Sequence, residues 1–70
     1  MDRSININFG RRVASLRAEK GMSQECLALQ SGINRTYIGE IERGEKSPSL
    51  NTIAKIASGL NISIKTLFDY

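Results

Sequence analysis

The sequence predicts an all-α fold of five short helices around one small core. Three observations carry that prediction. Apolar residues recur at spacings of three and four rather than two, Ser or Asn stands ahead of most of these periodic segments, and Gly closes several of them. No stretch alternates as a half-buried strand does, and no linker, repeat or low-complexity tract divides the chain. The 70 residues therefore make one domain, 1–70. A chain of this size buries only about 60% of the surface its unfolded form exposes, so its stability is marginal and a second copy would add to it.

The first helix is expected from about Asn8 to Lys20, where Phe9, Val13 and Leu16 step by four and three along one face. Gly21 ends it, and Lys20 places a cation where the helix dipole favours one. Ser23 offers a capping oxygen to a second helix of barely two turns, with Glu25 in its first turn and Leu27 and Ala28 inside; Gly32 stops it in the left-handed conformation. Asn34 caps the third helix, and Gly44 closes it. After the loop "GEKSPS", Ser49 caps a fourth helix with an inner stripe of Leu50, Ile53, Ile56, Ala57 and Leu60. Ser63 caps a fifth, containing Ile64, Leu67 and Phe68.

Composition narrows the function. With 10 Lys and Arg against 7 Asp and Glu, a net charge of +3 and a pI near 9.4, an anionic partner is permitted without being required. Arg3, Arg11, Arg12, Arg17 and Lys20 crowd the N-terminal part. Cys26 is the single cysteine and there is no His, so an internal disulfide, a zinc site and a thiol nucleophile with a histidine base are all unsupported. Cys26 is better read as a small, half-buried filler than as a redox sensor. The stretch "MDRSININF" lacks the apolar core of a signal peptide, and no apolar run approaches the ~20 residues of a membrane span. The chain is read as cytoplasmic and non-enzymatic, with no cofactor, metal or small-molecule ligand expected.

The third helix has a face that a core does not need. In "GINRTYIGEIERG", Ile33, Ile38 and Ile41 with Tyr37 form one side, while Arg35, Thr36, Gly39, Glu40 and Arg43 fall on the other. Only "SGI" separates this helix from the second, and so short a turn with glycine at its bend forces the two to cross steeply. Ala28 leaves room at the crossing. The outer face of the third helix is then presented at the surface, as in a helix-turn-helix over about 24–43.

The residues "QECLALQSGINRTYIGEIER" resemble the helix-turn-helix of the phage-repressor-like (lambda-repressor-like, xenobiotic-response-element) regulators, with Ala28 at the fifth place, Gly32 at the ninth, Ile38 at the fifteenth and Ile41 at the eighteenth. The flanking "LRAEKGMSQ" and "IERGEKSPSLNTIAKIASGLNIS" are similar too, so the resemblance spans nearly the whole chain. Within the family, "NRTYIGEIERG" looks most like the controllers of restriction-modification systems. That resemblance implies a homodimer on palindromic operators in double-stranded DNA, activating and later repressing its own promoter and the linked endonuclease gene in a bacterium or phage. Gly39 departs from the pattern, since those controllers usually carry Ser there.

Arg35 and Thr36, in the first turn of the third helix, are candidate base readers; the alternative is an ordinary solvated helix start. Glu40 either accepts from cytosine or pairs with Arg43. Gln24 and Asn34, at helix starts, are phosphate candidates, Asn34 being equally a plain cap. Arg43, Lys46 and Ser47 suit the DNA backbone, or are merely solvated. Tyr37 divides into a core ring and a hydroxyl for phosphate. Arg11, Arg12 and Arg17 spread too widely to face one surface, and one of them is expected on phosphate. Glu25 stands where phage-type activators offer acidic residues to RNA polymerase, and is equally a helix-dipole partner. The C-terminal segment, about 60–70, carries Ile62, Ile64, Leu67, Phe68 and Tyr70 as the expected dimer interface. The alternatives are a phage-type repressor, or an antitoxin-like or adaptor module whose main partner is a protein. An adaptor would not require the groove and phosphate chemistry of Arg35, Thr36 and Arg43.

Overall fold

Five helices follow the expected order in the computed structural model, which describes residues 3–70; the first two residues of "MDRSININF" lie outside it. They are α1 (Ser4–Glu19), α2 (Gln24–Ser31), α3 (Arg35–Glu42), α4 (Leu50–Gly59) and α5 (Ile64–Leu67). No strand occurs among the described residues. Four of the five starts are fixed by the expected side-chain oxygens. Ser23, Asn34, Ser49 and Ser63 accept from the backbone N–H groups of Cys26, Thr36, Thr52 and Thr66, satisfying donors that the helix itself leaves unpaired.

The exception is α1, which begins four residues before the expected Asn8. Arg3, at its N-cap, makes no side-chain cap bond, and Ile5 in its first turn is 77% exposed, so neither capping chemistry nor apolar period marks that start. Two further expectations are corrected. Leu50 opens α4 on the solvent side, 82% exposed, and the stripe is carried by buried Ile56, Ala57 and Leu60 with half-buried Ile53. Phe68 caps the C-terminus of α5 instead of lying within it.

Phe9, Val13, Leu16, Leu27, Ile38, Ile41, Ile56, Leu60 and Leu67 from all five helices form one core. Each fully buried aliphatic side chain contributes about 1.5–3 kcal/mol, and Met22, Ile33, Tyr37, Ile53 and Ile62 seal its edges. α1 and α3 touch backbone to backbone at Gly10. A Cβ there would stand 2.7 Å from the Glu42 carbonyl oxygen and closer still to that of Ile41. This contact fixes the height of the α3 C-terminus on the body of the protein. No helix among the described residues is long and apolar enough to cross a membrane.

Candidate nucleic-acid interface

The turn between α2 and α3 is built from one glycine. Gly32 adopts φ 69°, which an L side chain resists, and this lets Ile33 N–H donate back to the Ala28 carbonyl at 3.0 Å. Two residues later Asn34 Oδ1 accepts from Thr36 N–H at 2.8 Å and starts α3 in a new direction. Buried Ile38 and Ile41, with half-buried Ile33 and Tyr37, hold α3 from beneath. Arg35 and Thr36 are left exposed at its first turn, and half-buried Glu40 lies one turn beyond Thr36 on the same side.

Pairing across α3 differs from expectation. Arg43 does not join Glu40; its Nε donates to Glu45 Oε2 at 2.7 Å and its Nη2 to Glu45 Oε1 at 3.3 Å. This holds the Glu45 carboxyl below the ordinary glutamate range, chiefly through the hydrogen bond from Arg43. Gly39 is not the open position expected on the outer face but is buried. Gln24, expected on phosphate, spends its amide inside the protein, where Nε2 donates to Glu42 Oε1 at 2.9 Å. At the α2 N-terminus beside it, Ser23 Oγ accepts from the Cys26 N–H at 3.0 Å. Lys46 and Ser47 are exposed in the loop that follows.

Two of the three α1 arginines have structural partners. Arg12 donates from Nε to the Leu67 carbonyl and from Nη2 to that of Thr66, at 3.2 and 2.8 Å, and so satisfies the end of α5. Arg17 grips Glu42 at 2.7 and 3.1 Å and donates to the Met22 carbonyl at 2.8 Å. The bond to Glu42 raises the Arg17 pKa further. Neither role shows in the sequence, where both residues read as surface cations. Arg11 remains exposed.

Glu25 is exposed on α2, beside a shallow cleft formed with Ala28, Leu29, Gly32, Ile33 and Arg35. Leu29 stands at that cleft 78% exposed. In the C-terminal segment, Leu67 is completely buried in the protein's own core and so adds nothing to an outer surface. The apolar surface that remains is Ile64 (47% exposed), Phe68 (44%) and Tyr70 (61%), with half-buried Ile62. Phe68 stacks on Phe9 at 5.3 Å and on Tyr70 at 6.3 Å between ring centres, making a continuous aromatic ledge. No group of three or more metal-ligating side chains is gathered among the described residues.

A helix-turn-helix family model matches residues 13–67. The control protein C.BamHI of Bacillus amyloliquefaciens is 42% identical over 71 aligned residues, covering 100% of this chain and 88% of that protein. C.MunI of a Mycoplasma species is 43% identical over 65, covering 91% of this chain and 88% of its own. The crystal structure of the restriction-modification controller C.AhdI from Aeromonas hydrophila superposes with a TM-score of 0.90 at 45% identity, over 93% of this chain and 98% of that one.

Proposed function

The chain belongs to the helix-turn-helix family and is a sequence-specific DNA-binding regulator resembling the restriction-modification controllers, and from that premise we propose that it is a homodimeric controller of a restriction-modification operon. It binds palindromic operators and acts as both activator and repressor, first stimulating and later silencing its own promoter and the linked endonuclease gene. The observation that carries this reading is the first turn of α3. Arg35 and Thr36 are exposed at an end that Gly32 and Asn34 turn away from the body, on a helix anchored from behind by isoleucines. An arginine so placed forks onto guanine, and a threonine meets a thymine methyl or a base edge.

Around these readers, Asn34, the Tyr37 hydroxyl, Lys46, Ser47 and the α2 N-terminus beside Gln24 hold the phosphates on either side of the groove. Arg11 is the exposed α1 arginine and has no hydrogen-bond or ion-pair partner among the described residues. The ledge of Phe68 and Tyr70 with Ile62 and Ile64 pairs with its counterpart in a second protomer. The two recognition helices then meet half-sites about one turn, ~34 Å, apart. Exposed Glu25 and Leu29 offer RNA polymerase an acidic and apolar contact beside the bound DNA. Selection of binding sites from random duplex DNA by the purified protein tests the whole reading. A two-fold symmetric site is expected, and failure to enrich any sequence would overturn it.

A further inference from the structure

Position 39 lies one turn beyond Arg35 on the groove side of α3, yet it is buried. Two side chains cover it. A Cβ on Gly39 would stand 3.1 Å from Arg43 Nη1, 3.9 Å from Arg43 Cζ and 3.6 Å from Gln24 Oε1. Arg43, from just past the end of the helix, thus folds back a full turn across the face that enters the groove. Its guanidinium is fixed from the far side by the two bonds to Glu45. Those bonds use the Nε hydrogen and one Nη2 hydrogen. Both Nη1 hydrogens and the second Nη2 hydrogen remain, and the two of them that lie parallel, one on each Nη, form the end-on fork of the guanidinium.

We propose that Arg43 reads a guanine with this fork, that Glu45 is the positioning residue that aims it, and that Gly39 provides the space it crosses. The assignment rests on the DNA-binding reading above and makes Arg43 a determinant of sequence preference instead of a backbone clamp. Guanine fits for two reasons. Its O6 and N7 accept a bidentate arginine in the major groove. Moreover, Arg43 paired with Glu45 has no net charge. A phosphate would gain little from such a pair and would be repelled by its carboxylate, whereas the uncharged acceptors of guanine require only donors. A side chain at position 39 would displace Nη1 by a few tenths of an ångström, enough to misalign a two-point contact.

The test uses the full chain and the operator obtained by selection. Guanines are replaced one at a time by 7-deazaguanine, which lacks the N7 acceptor. The wild type should be sensitive at two guanines in each half-site, one for Arg35 and one for Arg43. In R43A/E45Q, which removes both charges of the pair, the second sensitivity should vanish, a loss of roughly 5- to 150-fold in discrimination, while the slope of log affinity against log salt stays unchanged. E45Q keeps the Arg43 charge and should lose most of the same discrimination. G39A should lose it too, while melting no lower than the wild type, because alanine is the better helix former. A uniform loss for all duplexes in R43A/E45Q, with a salt slope smaller by about one per half-site, would mark a phosphate clamp and overturn this assignment alone. If the wild type selects no sequence, the DNA reading fails and this assignment fails with it.

Discussion

The Arg17 guanidinium holds both carboxylate oxygens of Glu42, Nε to Oε2 at 2.7 Å and Nη2 to Oε1 at 3.1 Å, and so joins the end of α1 to the end of the recognition helix. Glu42 also accepts from Gln24 of α2, so one carboxylate orients three helices. Its side chain is only 6% exposed, against 20% for Arg17. Removing Arg17 strands a desolvated charge. Arg17→Ala is expected to cost about 3 kcal/mol, a large share of the stability of a domain this small. Urea unfolding measures it; a loss below 1 kcal/mol would mean that water reaches Glu42 freely.

Gly10 predicts a separate weakness in the same crossing. Alanine at this position is helix-compatible in itself, but its Cβ would enter the Ile41 and Glu42 carbonyls, which are backbone and cannot swing aside. Gly10→Ala should destabilise by about 1–3 kcal/mol, in contrast to Gly39→Ala, where the neighbours are flexible side-chain ends. Equal melting temperatures for the two variants would contradict this difference.

Much of the fold is legible because it is written in local chemistry. Ser23, Asn34, Ser49 and Ser63 cap where they stand, and Gly32 turns where its φ is needed. What could not be read depends on partners distant in the chain. Arg12 finds the carbonyls of Thr66 and Leu67, and Arg17 finds Glu42. The pairing of Arg43 with Glu45 spans only two residues, yet Glu40 is the regular helical neighbour, and the turn at Gly44 decides between them. Gly10 belongs to the same class: a glycine inside a helix costs about 1 kcal/mol against alanine, and only the carbonyls of Ile41 and Glu42, distant in the chain, show why it stands there.

The Arg43–Glu45 pair has a pH signature. The Glu45 pKa is lowered in the folded protein, first by the hydrogen bond from Arg43. The pairing is therefore fully present above the unfolded pKa and lost as pH falls through the lowered folded value. A carboxyl NMR titration should place the Glu45 midpoint below that of an ordinary glutamate, and Arg43→Ala should return it. Both residues are well exposed, so added salt should weaken the shift.

If two copies pair through the aromatic ledge as proposed, Phe68 links assembly to binding. It lies 44% exposed between Phe9 and Tyr70, so Phe68→Ala should weaken the dimer and the affinity for a two-half-site operator together. An unchanged dimer in sedimentation would move the interface elsewhere.

Base readers and phosphate clamps respond differently to substitution. Arg35 is exposed in the first turn of α3, whereas Lys46 lies in the loop beyond it. Arg35→Ala should cost about 1–3 kcal/mol at the preferred site and relax the preference at one position in each half-site, because a bidentate contact to guanine discriminates among bases. Lys46, as the proposed phosphate contact, would act by charge alone. On binding it displaces counterions whatever the sequence, so Lys46→Ala should lower affinity for all duplexes alike and flatten the dependence of log affinity on log salt by roughly one unit per half-site contact. Competition titrations of the operator against a scrambled duplex, at several salt concentrations, distinguish the two behaviours. If Arg35→Ala weakens both duplexes by the same factor, Arg35 belongs with the phosphate contacts and the base readout of α3 must be sought at Thr36, Glu40 and Arg43.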